Sequence, residues 1–382
     1  MTPAKPSMDL VRSVTDEQVL RAFLVEPRLT RAELAVRTGL SKPTASESVR
    51  RLTEAGLLHD TGERTTGRGR VGSYYALSET LGSALVAGIA PEGITVEMLD
   101  VRGDVVARAT EALHRPTGAD EVSDRLRDAV GRARTAAGTV VRLAVVSAAD
   151  PVDRRTGRLL HLPDAPFLVG ELCPADAVAA LVGGPVLVDN DVNWAARAER
   201  DAAAEPLDDF TYLYLGEGLG CAVVSDGDVR GGHVGIAGEI AHIVTWGPRG
   251  QATRFTEVFA ALGLRQPEST AVDTDAVLRI LDGTSTRART TRAALARAVS
   301  GVLCAAVALS DPELVVLGGL WGSHPAMLEA VREDLGAQPR SVPVRAAGVL
   351  DQPSLRGARA SALQALRAAV LSPSALARRI DA

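Results

Sequence analysis

The stretch "YLYLGEGLGCAVVSDGDVRGGHVGIAGEIAH", residues 212–242, decides the fold of most of this chain. It reads as two apolar strands, "YLYL" and "CAVVS", around the glycine-rich turn "GEGLG". A further turn at Asp226-Gly227 and a glycine-rich connection lead to Glu239 and His242. Glycines at strand ends allow sharp turns and close backbone approach to a ligand. The spacing from Glu239 to His242 is one helical turn, so both side chains can point into one pocket.

The same grammar extends in both directions. Upstream, "SALVAGIAPEGITVEMLDVRGDVVARAT" predicts strands at 84–90, 94–100 and 104–109, with turns at Glu92-Gly93 and Arg102-Gly103. A helix near 120–136 follows, then a buried strand in "VVRLAVVSAA". "GPVLVDNDVNWAARAERD" is a buried strand running into a helix, and "ELVVLGGLWG" adds a late strand and glycine turn. Strands alternating with helices, with glycine-rich loops at strand ends, predict an α/β body that binds ligands at those ends.

Residues 1–80 are built differently. "TDEQVLRAFLVEPRLTRAELAVRTGLSKPTASESVRRLTEAGLLHD" predicts three helices. The first, near 13–25, places Val14, Val19, Leu20, Phe23 and Leu24 at helical spacing and stops before Pro27. Thr30 caps the second, with Glu33 at the capping-box position; it buries Leu34, Ala35 and Val36, and Gly39 ends it. Ser41 caps the third, whose apolar face is Ala45, Val49 and Leu52. Its other face carries Lys42, Thr44, Ser46, Glu47, Ser48, Arg50 and Arg51. Two short strands near 57–60 and 73–77 around a Gly/Arg tip complete a winged helix-turn-helix, mostly α with a β wing. Arg64, Arg68 and Arg70 on that tip would reach phosphates or a minor groove.

Charge follows the same division. Residues 1–80 hold 12 Lys/Arg against 10 Asp/Glu, while the rest holds 30 against 37, a slightly basic head on an acidic body. Cys173, Cys221 and Cys304 are isolated and odd in number, which reads as reduced thiols in a cytoplasmic protein. No continuous apolar run approaches a membrane span and the first residues lack a signal-peptide core, so no membrane partner is expected.

The segment "LTRAELAVRTGLSKPTASESVRRLTEAGLL" resembles the winged-helix domains of ROK-family bacterial repressors. Residues 84–370 resemble the ROK domain, with an actin-like, sugar-kinase-type fold of two α/β lobes around a cleft. The matching segments are "VLVDNDVNWAARAE", the 212–242 stretch and "VVLGG". The domains expected are 1–80 for DNA binding and 83–382 for effector binding and dimerisation. The lobes would be about 83–195 plus the C-terminal helix, and 196–360. The resemblance implies that Ser41, Lys42, Thr44, Ser46 and Arg50 lie toward DNA; Arg51 joins them from the polar face of its helix.

Within that resemblance, Asp191 matches the catalytic base of the family's kinases and Asn190 a sugar-hydroxyl contact. The phosphate side departs from the pattern. The hairpin that wraps phosphates in the kinases is "GIAPEGI" here, where Pro91 lacks an amide donor and Glu92 repels a polyphosphate. The second phosphate loop is "GEGLG", with Glu217 in place of a threonine. No kinase activity is therefore expected, and Asp191 is a vestigial base. Glu239 and His242 match residues that bind sugar hydroxyls, but the zinc-holding cysteine cluster that follows in the family is missing. No metal and no cofactor are expected, since one histidine cannot supply the four N/S ligands of structural zinc. Pro151, Val152 and Asp153 fit a degraded turn in which Asp150 stands near the expected glycine. Asp164, Asn190, Asp191, Glu239, His242 and Glu257 would form a polar cup. Being rich in acceptors, that cup suits a neutral polyol or an amine-bearing sugar better than a sugar phosphate. The expected protein is a dimer or dimer of dimers on a double-stranded DNA operator. It would be a repressor answering to a carbohydrate-like effector; the alternatives are a sugar kinase with a DNA-binding head and a regulator whose body is only a dimerisation scaffold.

Overall fold

A computed structural model describes residues 8–66, 71–114, 117–162 and 167–371. The head runs α1 (Met8–Val25), β1 (Leu29–Thr30), α2 (Arg31–Thr38), α3 (Lys42–Glu54), β2 (Leu58–Arg64) and β3 (Ser73–Leu77). The strands form a sheet in the order β1-β3-β2. Thr30 and Glu33 close a reciprocal capping box on α2: Thr30 Oγ1 accepts from the Glu33 amide at 3.2 Å, and the Glu33 carboxylate accepts from the Thr30 amide at 2.8 Å. Gly39, at φ +69°, supplies the left-handed residue that turns α2 into α3. Ser41 caps α3, accepting from the Thr44 amide at 3.2 Å.

Several helix faces differ from their sequence reading. α1 starts at Met8, ahead of the expected 13, and Val14 on it is 58% exposed. Val36 is 84% exposed because Leu34 and Ala35 fill the inner face of so short a helix. Ser48, read as solvated, is fully buried. Its hydroxyl donates to Asp16, which α1 brings into the helix interface.

The first lobe contains β4 (Ser83–Ala90), β5 (Gly93–Leu99), β6 (Val105–Ala112), β7 (Thr117–Gly118), α4 (Ala119–Ala137), β8 (Val141–Ala148), β9 (Leu168–Val169), α5 (Pro174–Val178), β10 (Val186–Asn190) and α6 (Asp191–Asp201). Its sheet has the order β10-β8-β4-β5-β6, parallel through β10, β8 and β4 and antiparallel beyond. β4 and β8, covered on both faces, are near-continuous apolar runs; edge strand β6 alternates.

The second lobe contains β11 (Phe210–Leu215), β12 (Leu219–Ser225), β13 (Asp228–Val229), β14 (Val244–Trp246), β15 (Ala252–Arg254), α7 (Phe255–Leu262), α8 (Thr274–Asp282), α9 (Thr286–Ser310), β16 (Leu314–Gly318), α10 (Pro325–Gly336) and β17 (Val344–Ala346). Its sheet, β13-β12-β11-β16-β17, repeats the plan of the first: an antiparallel hairpin joined to parallel strands. Each lobe thus presents one hairpin tip beside the C-terminal ends of its parallel strands.

By length and composition α9 could cross a membrane, which the sequence reading overlooked because Arg297 interrupts the run. Here Leu295, Val299, Val302, Leu303 and Val307 of α9 are buried in the core of the second lobe with Phe255, Phe259 and Trp321.

The last helix, α11 (Pro353–Leu371), returns to the first lobe and packs on α6, β4 and β8. Phe23 and Leu52 of the head, Val86 and Val145 of the first sheet, and Leu366 and Val370 of α11 belong to one continuous apolar cluster. Only a short 3-10 turn, Glu79–Leu81, separates the wing from β4. The Arg102 guanidinium also donates to the Pro27 carbonyl at 2.9 Å. The head is packed against the body over a shared core, not hung from a linker.

Candidate functional site

Two regions gather polar groups that the fold itself does not require. The first is the N-terminal half of α3. Ser41, Lys42 and Thr44 are exposed there and Ser46 is half-buried. Arg50 is exposed but held by Glu47 and Glu54, each at 2.6 Å. Arg51 departs from its expected role: its guanidinium turns back to Asp16, at 2.6 and 3.2 Å, and braces α3 against α1. On the wing, Arg64 is exposed and bonded to Asp60 at 2.9 Å. Arg68 and Arg70 lie outside the described residues. Arg28 and Arg31, which sequence reasoning did not single out, stack over Tyr74 and Tyr75 at 4.9 Å. The signal available was an arginine either side of a strand that pairs with two tyrosines.

The second region is a cavity of about 1030 Å³ between the two hairpin tips. The first lobe contributes Glu92 from the β4–β5 tip, Asp150 just beyond β8, and Asn190 and Asp191 where β10 becomes α6. The second contributes Glu217 from the β11–β12 tip, Glu239 and His242. Val349, Leu350 and the first turn of α11 close one side.

Each of these positions has a local cause. Asn190 caps α6: its side-chain oxygen accepts from the Val192 amide at 2.9 Å and its amide nitrogen donates to the Asp150 carbonyl at 3.3 Å. Its side chain is thus largely spent on structure, leaving Asp191 as the other polar side chain that this turn brings to the cavity wall. Neighbouring Asp189 is spent likewise, on Asn193 at 2.8 Å and Arg197 at 2.7 Å. Glu239 follows Gly238, whose φ of +94° and close approach to Cys221 leave no room for a side chain; an added Cβ would sit 1.8 Å from the Cys221 carbonyl oxygen. The Glu239–His242 segment is a chain of turns, not the helix its spacing suggested, yet it brings both residues to the cavity wall.

Glu257 does not line the cavity. It lies in the first turn of α7, 55% exposed, paired with Arg265 at 3.4 Å, because Phe255, Val258 and Phe259 take the inner face of that helix. Asp164 lies outside the described residues. Sequence reasoning noted Asp150 only as a departure from a turn. Its signal was an acid immediately following a buried parallel strand, where α/β proteins place ligand contacts.

The electrostatics are one-sided. Burial pushes the Asp150 carboxyl up to about 6, with His161 pulling the other way. Burial pushes Asp191 up to about 7, and the charges of Asp150, Glu239 and Glu92 add to it. Glu239 is raised to about 7 by burial and then by Asp150. Among the described residues no group of three or more His, Cys, Asp and Glu side chains is arranged to hold a metal ion.

The comparisons agree with this geometry. The family model described as "ROK family" matches residues 92–365, and a winged helix-turn-helix DNA-binding model matches residues 12–58. N-acetylmannosamine kinase of Citrobacter koseri is 27% identical over 257 residues, covering 62% of this chain and 84% of that protein. The glucokinase of Streptomyces coelicolor is 28% identical over 164 residues, half of its length. Among solved structures, a ROK family transcriptional regulator, homologue of the E. coli MLC protein, superposes with a TM-score of 0.62. The identity is 20%, over 97% of this chain and all of that one, a likeness of fold alone. A ROK family glucokinase from Streptomyces griseus, in complex with glucose and AMPPNP, gives 0.56 at 24% identity over 74% of this chain and all of that one. With the family model matching well over half its length, and a DNA-binding model matching the head, the chain belongs to the ROK family and carries a winged helix-turn-helix DNA-binding domain ahead of its ROK domain.

Proposed function

We propose that this protein is a transcriptional repressor that binds a double-stranded operator as a dimer, responds to a carbohydrate-like effector in the cleft, and transfers no phosphate. The observation that carries the reading is the continuous core joining head, first lobe and α11, with the first turn of α11 in the cleft wall. A ligand that preferred one arrangement of the lobes would act on that helix and so on the head it supports. Winged helices commonly read paired half-sites, which supports a two-fold dimer in the cytoplasm, where its operator is.

In this reading Ser41, Lys42, Thr44 and Ser46 face DNA, while Asp150, Asp191, Glu239 and His242 face the effector. One specific set of observations favours a kinase instead: Asp191 at a strand end in the cleft, together with the N-acetylmannosamine kinase likeness. Against it, the tips that would have to hold a polyphosphate carry Glu92 and Glu217, and Pro91 has no N–H to give. The test is selection of DNA from a random duplex pool with the full chain, followed by anisotropy on the selected site with and without sugars. Recovery of a two-fold site whose binding weakens with a sugar is expected. Failure to select any sequence refutes the regulator, and ATP-dependent phosphorylation of N-acetylmannosamine refutes the non-kinase part.

A further inference from the structure

We propose that the ligand of the cleft is positively charged: an amino sugar or aminocyclitol whose amine is free and protonated. This rests on the effector reading and adds the charge that the effector must bring.

Three observations point the same way. First, the described residues lining the cavity include six carboxylates, Glu92, Glu111, Asp150, Asp191, Glu217 and Glu239, and no Lys or Arg. Of these, Glu111 is answered from outside the cavity by Arg132 and Arg125, and Glu217 also has a partner, leaving Glu92, Asp150, Asp191 and Glu239 to carry the inference. Second, Asp150, a residue of the cavity wall, is only 4% exposed, and its buried Oδ2 has no hydrogen-bond partner. A buried carboxylate oxygen left without a donor is costly, and native interiors rarely keep one that nothing will meet. Third, the neighbouring charges that act on Asp191 are those of Asp150, Glu239 and Glu92, all of its own sign.

A neutral sugar could donate hydroxyls to these acceptors but would leave their mutual repulsion in place. A sugar phosphate would add to it. An ammonium group supplies up to three donors and a compensating charge at one point, and charge-assisted bonds of this kind are about twice as strong as neutral ones. The cavity is also too large for a bare amine or metal ion, and Tyr214, Ser323 and His242 line it with hydroxyl- and imidazole-bearing side chains suited to a polyol frame.

The test uses the full-length protein at pH 7, where a hexosamine amine is still largely protonated, and titration calorimetry. The probes are D-glucosamine, D-mannosamine and 2-deoxystreptamine, set against their N-acetylated counterparts, D-glucose, glucose 6-phosphate, MgCl2 and CaCl2. At least one free amine should bind, tighter than its acetylated form by roughly tenfold or more, the scale of one lost charge-assisted bond. Its binding should weaken from pH 7 to pH 5.5 as Asp150, Asp191 and Glu239 take up protons, with Glu92, Glu217, Tyr214, His161 and His242 the other titratable groups around them. Asp150→Asn and Glu239→Gln should each weaken it by a similar factor. The amine-to-acetyl ratio needs no variant, so it stands if either substitution fails to fold. Equal or tighter binding of a neutral sugar, binding of the phosphate or of a metal salt alone, or no binding by any amine overturns the inference. Operator binding by the same sample keeps the two readings apart. A neutral sugar that releases DNA sinks only the charge, whereas amine binding by a protein that binds no DNA sinks only the regulator.

Discussion

Replacing Asp191 by Asn should make the unliganded protein more stable above neutral pH. Burial and the charges of Asp150, Glu239 and Glu92 raise the folded-state pKa of Asp191 from 3.8 to about 7. A raised carboxyl pKa means that the folded state holds the proton more tightly than the unfolded chain does. The group's favourable contribution is full below about pH 4, falls as pH rises, and is gone above about 7, where a charged Asp191 must be held in the cavity wall. A shift of about three units corresponds to at most about 4 kcal/mol. Two effects reduce it. Asp191 keeps some accessible surface, so water screens part of the repulsion, and as the first residue of α6 its charge favours the helix N-terminus by about 0.3–1 kcal/mol. A net gain of about 1–2 kcal/mol at pH 8 remains for Asp191→Asn. The assay is thermal unfolding of parent and variant at pH 8 and pH 5, without ligand. The variant should melt higher at pH 8, with the gap closed or reversed at pH 5. Equal midpoints at both values, or a lower variant midpoint at pH 8, would refute the account of a strained acidic cleft.

Two further outcomes follow from the packing. Asp16→Ala leaves the buried Ser48 hydroxyl and the Arg51 guanidinium without their acceptor, so it should cost about 2–4 kcal/mol and weaken DNA binding through misplacement of α3. Lys42→Ala should weaken DNA binding with stability unchanged and a shallower salt dependence; an Asp16→Ala protein of parental stability would return Arg51 to the list of DNA contacts. Glu199 is 2% exposed and accepts from the Gly348 and Val349 amides at 2.9–3.1 Å as well as from Arg345, tying α6 to the loop that lines the cleft. Glu199→Gln should cost about 1–3 kcal/mol in urea unfolding, and an unchanged midpoint would show that this loop is held by other contacts.

Much of this protein is written locally. The Thr30–Glu33 box, Gly39 and the Ser41 cap set the helix-turn-helix within the single stretch from Thr30 to Ser41, and each is satisfied by its own neighbours. The strand–turn–strand pattern of 83–110 and of 212–225 is likewise set by apolar alternation and glycine turns, and both sheets follow it. Asp191 and Glu239 are picked out by the resemblance to the ROK family, and a strand end and a glycine loop are where α/β folds place ligand contacts.

What the sequence left open depends on partners far along the chain. Arg51 and Ser48 look like surface groups until α1 delivers Asp16 from more than thirty positions away. Glu257 has the right chemistry for the cup, but the apolar face of α7 turns it outward to Arg265. Asp150 stands beside Asp191 and Glu239 only because β8 pairs with β10 and the second lobe closes over both. Residue type and spacing determine which groups are available. Which of them share a low-dielectric cavity, and therefore what charge that cavity will accept, is decided by the tertiary fold, because desolvation and like-charge repulsion act across space and not along the chain.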